Sequence, residues 1–373
     1  MQGRKEDKFI VPEARESVMA ITPYVPGKPI DEVNRELGVT DVVKLASNEN
    51  PLGPSKVAVE AIVSGSEEVY LYPDGGCYVL RSLLSSELGV GPDSLIFGAG
   101  SDEVIRFIAE TFVNPGDEVV YGSVSFSQYE FVTRIVGGTC VPAPMEGLDY
   151  DIDAIISAVN EKTRAIFLAN PNNPTGGMVT KDQVDRIISA IPEDVLLILD
   201  EAYYEYVDND GYPDSVADYV KAGRNVIVLR TFSKIHALAG LRIGYGVARP
   251  EIISLLNKVK PPFNVTSVAQ AAAAAALTDR EHVAESVRVN KEGREYLYQE
   301  FDKMGLDYVR SEANFVLVDV GKSSKSVFSD LLKRGIIVRT GDIFGIDTHI
   351  RVTVGTREQN KRFIRALAAV IEG

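Results

Sequence analysis

The middle of the chain alternates short, β-branched apolar runs with longer stretches whose apolar residues recur at helical spacing. Runs at residues 94–97, 118–121, 165–169, 195–199, 225–229 and 242–247 read as strands. Residues 102–112, after the first run, and 180–190, before the fourth, read as helices. That alternation predicts an α/β fold with a mostly parallel central sheet flanked by helices. Around residues 258–264 the proline-bearing segment KPPFN interrupts the rhythm and marks the expected boundary. Residues 266–277 follow, with six consecutive alanines at 271–276 that favour helix. A strand at 314–320, a helix at 324–334, strands at 336–339 and 349–354, and a helix at 357–371 complete the pattern. The expected division is an arm at 1–50 that lends a piece to the smaller domain, a large domain at 51–262, and a small α+β domain at 263–373. No internal repeat is visible.

Composition narrows the function classes. The chain has 373 residues, with 53 acidic and 39 basic side chains and a net charge of −14, which argues against nucleic acid as a partner. The opening eighteen residues are too charged for a secretory signal, and no apolar run has membrane-spanning length. A cytoplasmic protein with no membrane association is expected. Cys77 and Cys140 lie far apart without metal-ligand spacing, which fits a reducing compartment better than a disulfide. His236, His282 and His349 form no metal-binding pattern, so no metal is expected. Packing or a local hydrogen bond is the plainer reading of His236.

Ligands of open α/β sheets gather outside the carboxyl ends of the strands. The first predicted strand runs into Gly98-Ala99-Gly100-Ser101-Asp102, a turn entering a helix. Free amides and the positive end of the helix suit a phosphate there, although a cap at Ser101 or Asp102 would also explain it. Neither a dinucleotide fingerprint nor a Walker pattern is present. After the third run, Asn170-Pro171-Asn172-Asn173-Pro174-Thr175-Gly176 makes a stiff turn that presents amides. The next strand delivers Asp200 and, three residues on, Tyr203. An acid at a buried strand end calls for a cation, such as a protonated ring nitrogen, unless it serves as a cap. The fifth run leads into TFSKIHALAGLRIGYG, residues 231–246, with Ser233, Lys234 and Arg242. A lysine can form a Schiff base with an aldehyde, and an arginine can hold a phosphate. Phosphate cradle, amide, carboxylate, phenol and amine together match pyridoxal 5′-phosphate group for group.

The motifs NPTG, DEAY and SK with its downstream arginine resemble the fold-type I pyridoxal-phosphate aminotransferases. PYVPGKP (23–29), LASNENPLGPS (45–55), YPDGG (72–76) and IRVTVGTREQN (350–360) extend the resemblance nearly end to end, toward the histidinol-phosphate aminotransferase family. That resemblance implies Lys234 as the Schiff-base lysine and proton carrier, and Asp200 as partner of the pyridinium nitrogen. It implies Asn173 and Tyr203 on the ring oxygen, and Phe126 on the ring face. Gly100, Ser101, Ser233 and Arg242, with Asp102 beside them, are implied at the phosphate. Tyr72 would reach the cofactor phosphate of a neighbouring subunit, which implies a homodimer with shared sites. Arg351 would grip the substrate carboxylate, Arg339 and Tyr24 the phosphate of histidinol phosphate, and Asn48 would lie on a loop lining the pocket. The implied reaction converts L-histidinol phosphate and 2-oxoglutarate to imidazole acetol phosphate and L-glutamate, in histidine biosynthesis. An aromatic amino-acid aminotransferase, a threonine-phosphate decarboxylase and a non-catalytic protein of this fold are the alternatives. One departure stands out: members of the family often follow the arginine at 339 with proline and a Gly-Tyr-Gly loop. Here Thr340-Gly341-Asp342-Ile343-Phe344-Gly345 follows, adding an acid near an anionic substrate.

Overall fold

Residues 12–19, 21, 23 and 27–372 are described by the structure, a computed structural model of the chain. After a two-residue strand β1 (Val43–Lys44), the chain lays down β2 (Leu95–Gly98), β3 (Glu118–Gly122) and β4 (Thr139–Ala143). A small hairpin follows, β5 (Met145–Glu146) with β6 (Asp149–Tyr150). Then come β7 (Thr163–Ala169), β8 (Leu196–Asp200), β9 (Val226–Thr231) and β10 (Gly244–Val247). Seven of these form one sheet in the order β2-β10-β9-β8-β7-β3-β4. Every neighbouring pair is parallel except those of β10, which runs antiparallel to both β2 and β9.

Such a sheet needs cover on both faces, and its strands read accordingly as continuous apolar runs. Side chains alternate across it. Ile166, Leu168, Leu197 and Leu199 face one apolar cluster, while Phe167, Ile198, Ile227 and Leu229 face the other. Helix Ser101–Phe112 and helix Gln128–Val136 cover the second face through Val104, Ile105, Ile108, Tyr129 and Val132. Each fully buried leucine or isoleucine contributes roughly 1.5–3 kcal/mol. The alanine helix, Ser267–Thr278, covers the first face with Ala269, Ala272, Ala273 and Ala276, packed close to helix Lys56–Gly65. It therefore shares the core of the large sheet, although it follows the proline-bearing interruption.

The later strands are β11 (Phe315–Asp319), β12 (Ile336–Ile337), β13 (Arg339–Thr340) and β14 (His349–Thr353). β11, β14 and β13 form an antiparallel sheet with β14 in the middle, while β12 pairs in parallel with β1. The single strand expected at 336–339 is thus two. Ile336 and Ile337 bond toward Val43 and Lys44, and beyond Val338 the chain turns its bonds toward Ile350 and Arg351. Helix Arg280–Met304 and helix Arg357–Ile371 cover this sheet through Leu297, Phe301, Phe363 and Leu367. The last helix starts at a capping box of Thr356 and Gln359, which satisfies two of its free amides. Cys77 is buried and Cys140 half-buried, both as free thiols.

Candidate active site

Register brings the predicted strand ends together. Ala169 of β7 and Leu229 of β9 flank Asp200 of β8 on either side. The segments that follow them close on a cavity of about 350 Å³. Its walls include Asn48, Ser101, Asp102, Phe126, Asn173, Asp200, Tyr203, Ser233, Lys234, Arg242, Arg339 and Arg351. Gly100 lies directly behind the wall, against Arg242. Tyr72 stands apart: it is 85% exposed and stacks on Phe263 at 5.0 Å. Tyr24 falls outside the described residues.

Asp200 is buried, and its Oδ2 accepts a hydrogen bond from the Tyr129 hydroxyl at 2.8 Å. Its Oδ1 is buried with no hydrogen-bond partner among the described residues. Burial pushes this carboxyl up to about 7, partly offset by the Tyr129 hydroxyl and the Ala202 amide. A buried acid in this condition is a ready seat for a cation. Tyr129 was not singled out from the sequence. It stacks on Phe167 at 4.7 Å and meets the edge of Phe126 at 5.7 Å. The spacing of Phe126 and Tyr129, three apart at a helix start, was the available signal.

Lys234 donates to the Ser47 carbonyl at 3.1 Å and lies 5.6 Å from the centre of the Tyr203 ring. Burial, and then the nearby Arg351, lower its amine to about 8, so a share of it is neutral and nucleophilic near pH 7. Tyr203 accepts from the Asn48 amide at 3.0 Å, and burial raises its hydroxyl to about 12. It therefore stays protonated and able to donate. His236 is buried with its ring 5.0 Å from Phe232, and burial lowers it to about 4. It packs rather than reaching into the cavity.

At the other end, helix Ser101–Phe112 starts at Gly100 with φ of 81°. A Cβ there would lie 2.5 Å from Arg242 Nη2 and push the guanidinium from its place, on a backbone whose positive φ already favours glycine. Arg242, itself left-handed at φ 54°, donates to Ser233 Oγ at 3.3 Å, Ala239 O at 3.1 Å and Asp102 Oδ2 at 3.2 Å. Thr231 adds a bond of 3.0 Å to Ser233 Oγ. Helix amides, two hydroxyls and a guanidinium thus converge on one spot, the makings of a phosphate cradle.

Across the cavity, Arg339 and Arg351 sit opposite each other in the ladder between β13 and β14. Arg351 is buried, donates to the Ala46 carbonyl at 2.7 Å and to Asn173 Oδ1, and lies 5.2 Å from the Phe315 ring. Asn172, the neighbour of Asn173, has a different job: it bonds Ser125, Tyr150 and Thr175 and holds the turn together. The acid of the unusual loop is turned away. Asp342 pairs with Lys325 at 3.1 Å, and Phe344 lines the cavity instead. Among the described residues, no group of three or more His, Cys, Asp and Glu is placed to hold a metal, and no helix is long and apolar enough to cross a membrane.

The side chains fit pyridoxal phosphate on two structural grounds: the orphaned Oδ1 of Asp200 and the glycine-lined cradle beside Arg242. The chain belongs to the class I and II aminotransferases, whose sequence profile, described as "Aminotransferase class I and II", matches residues 40–367. It is 54% identical over 371 residues to the histidinol-phosphate aminotransferase of Moorella thermoacetica, covering 99% of this chain and 96% of that one. The histidinol-phosphate aminotransferase of Caldicellulosiruptor saccharolyticus is 48% identical over 357 residues, covering 96% and 99%. Among solved structures, the histidinol-phosphate aminotransferase of Sinorhizobium meliloti in complex with pyridoxal 5′-phosphate aligns with a TM-score of 0.90 and 27% identity, over 98% of this chain and 99% of that one. The family is the one its motifs indicated, down to the histidinol-phosphate branch, and the fold is the expected fold-type I α/β arrangement. Its cofactor is pyridoxal phosphate.

Proposed function

We propose that this chain transfers the amino group of L-histidinol phosphate to 2-oxoglutarate, yielding imidazole acetol phosphate and L-glutamate for histidine biosynthesis. Relatives of that name at 54% and 48% identity support the assignment. The observation that carries it is the facing pair Arg339 and Arg351 on the wall of the cavity that holds Lys234. One site must take a phosphorylated amine and then a dicarboxylate, and the planar fork of a guanidinium binds the oxygens of either. In this reading Arg351 holds the carboxylate, and Arg339, with Tyr24, holds the substrate phosphate.

When bound, pyridoxal phosphate supplies an aldehyde carbon and a ring that draws electrons from the substrate's Cα. Lys234 Nζ would hold that aldehyde carbon, and its amine would move a proton to and from the substrate's Cα. Asp200 Oδ1 pairs with the ring nitrogen and keeps it protonated. Tyr203 and Asn173 would hydrogen-bond the ring oxygen, Asn173 through its Nδ2 amide while its Oδ1 keeps accepting from Arg351. Phe126 would pack on the ring, and Gly100, Ser101, Ser233 and Arg242 would hold the phosphate, with Asp102 orienting Arg242 through their ion pair.

A homodimer accompanies this reading. Tyr70, Tyr72, Tyr78 and Val79 are 81%, 85%, 73% and 65% exposed, a cluster of apolar side chains that a second copy would cover. Covered so, Tyr72 would reach the neighbour's phosphate cradle. A cytoplasmic location fits the two free thiols. The division at 50 and 262 into arm, large and small domain belongs to the same reading. The packing of Ser267–Thr278 favours moving that helix into the large domain.

The test adds L-histidinol phosphate, and separately L-phenylalanine, to cofactor-loaded protein while the visible absorbance of the cofactor is followed. Rapid loss with histidinol phosphate is expected. Loss with phenylalanine alone would reassign the substrate, and carbon dioxide release without a keto acceptor would point to a decarboxylase.

A further inference from the structure

A chain of hydrogen bonds behind the cavity wall fixes which way the Tyr203 proton points. The Asn48 backbone N–H donates to Thr353 Oγ1 at 2.9 Å. A backbone N–H can only donate, so the Thr353 hydroxyl is an acceptor there and must place its own proton elsewhere. It lies 3.2 Å from Asn48 Oδ1, which takes that proton. Accepting at Oδ1 commits the Asn48 side chain to one of its two flip states, with Nδ2 facing Tyr203 Oη at 3.0 Å. Tyr203 then accepts, and its hydroxyl proton is left to aim into the cavity. All three residues are buried, and the Asn48 carbonyl is held by the Asn314 amide at 3.0 Å, so solvent does not compete for these groups. Asn48 keeps this position at a left-handed φ of 56°.

We propose that Thr353 is a positioning residue that locks the flip of the Asn48 amide and thereby commits the Tyr203 hydroxyl to donate to the cofactor's ring oxygen. Thr353 does not line the cavity and acts only through Asn48. Without its hydroxyl the amide is free to turn, present Oδ1 to Tyr203 and capture the proton that the ring oxygen would receive. The inference rests on the cofactor roles given above.

The test titrates the visible absorbance of the cofactor-loaded protein with pH for the unsubstituted chain, Thr353→Val and Thr353→Ser. A hydrogen bond donated to the ring oxygen favours the state in which that oxygen carries its charge alone, so losing it raises the titration midpoint. Thr353→Val is expected to raise the midpoint by about one pH unit, and Thr353→Ser to stay within about 0.2 unit of the unsubstituted chain. Thr353→Ala, which introduces no bulk, carries the same expectation as valine and replaces it if valine does not yield folded protein. A midpoint unchanged in the valine and alanine variants, or a serine variant that behaves like them, would overturn the proposal. If the unsubstituted protein itself gives no pH-dependent visible band, the cofactor roles fail instead, which separates the two outcomes.

Discussion

Asp200 should destabilise the cofactor-free protein, and Asp200→Asn should relieve that cost in a pH-dependent way. The folded carboxyl is pushed up to about 7 from an ordinary 3.8, chiefly by burial. A raised acid stabilises the folded state only while it holds its proton. Its contribution is full below the unfolded value and lost as pH climbs to the folded one. Linkage between those two values puts the cost at about 2 kcal/mol at pH 5 and about 4 kcal/mol at pH 8.5. The substituted amide keeps an acceptor for Tyr129 and is neutral at every pH, so its own packing cost is the same at both. Urea unfolding of cofactor-free protein at fixed concentration, for both chains at both pH values, isolates the difference. The variant should gain about 2–3 kcal/mol on the unsubstituted chain between pH 5 and pH 8.5. Adding pyridoxal phosphate should reverse the ranking, because a protonated ring nitrogen pairs with the acid and not with the amide. A stability gap that is the same at both pH values, within about 0.5 kcal/mol, would refute the claim that Asp200 is a buried acid awaiting a cation.

Lys234→Ala should abolish both amino transfer and the Schiff-base band of the bound cofactor, leaving at most the spectrum of the free aldehyde, while thermal unfolding of the cofactor-free protein stays cooperative; a Schiff-base band or a turnover that survives would remove Lys234 from its role. Arg351→Ala should raise KM for 2-oxoglutarate by roughly 10- to 100-fold, as expected for a lost charge-assisted carboxylate contact, and unchanged steady-state kinetics with both substrates would place Arg351 outside the substrate site. Gly100→Ala puts a methyl group 2.5 Å from Arg242 Nη2 on a backbone at φ 81°, so cofactor affinity measured by fluorescence titration should fall at least roughly tenfold. Affinity equal to that of the unsubstituted chain would mean that Arg242 does not need its present position.

Much of the candidate site's assembly could be read in advance because its residues follow strands directly. Asp200 ends β8, Lys234 comes three residues after β9, and Ser101 opens the helix after β2, so a parallel sheet is enough to bring them together. Residues whose placement depends on long-range register were harder to see. Thr353 and Asn48 meet across more than three hundred positions, and nothing local in either segment announces the contact. Tyr129 hid in a helix whose apolar pattern explains it as core. β4 was missed because it lies at the sheet edge with exposed Thr139 and Pro142, which break the buried-strand pattern. The break at Val338 was invisible for another reason: an apolar run says that a strand is buried, not that its two halves pair with different partners. Asp342 shows the reverse error, since its charge suggested a role in the cavity and Lys325 takes it up instead.

The pairing of Val43–Lys44 with Ile336–Ile337 has a consequence for the order in which the enzyme matures on the ribosome. Residues 46–48 contribute the Ala46, Ser47 and Asn48 contacts around Arg351, Lys234 and Tyr203, yet that segment is anchored by strands that emerge some three hundred residues later. A nascent chain that has reached residue 300 already carries Lys234, Asp200 and the phosphate cradle, and the large sheet is free to form. It cannot yet close the cavity, because Arg339, Arg351 and the partners that hold Asn48 have not been made. With the roles proposed above, synthesis passes through a stage with a reactive amine and an open cofactor seat but without the two arginines that would grip substrate. The last seventy residues convert that half-built seat into a selective one.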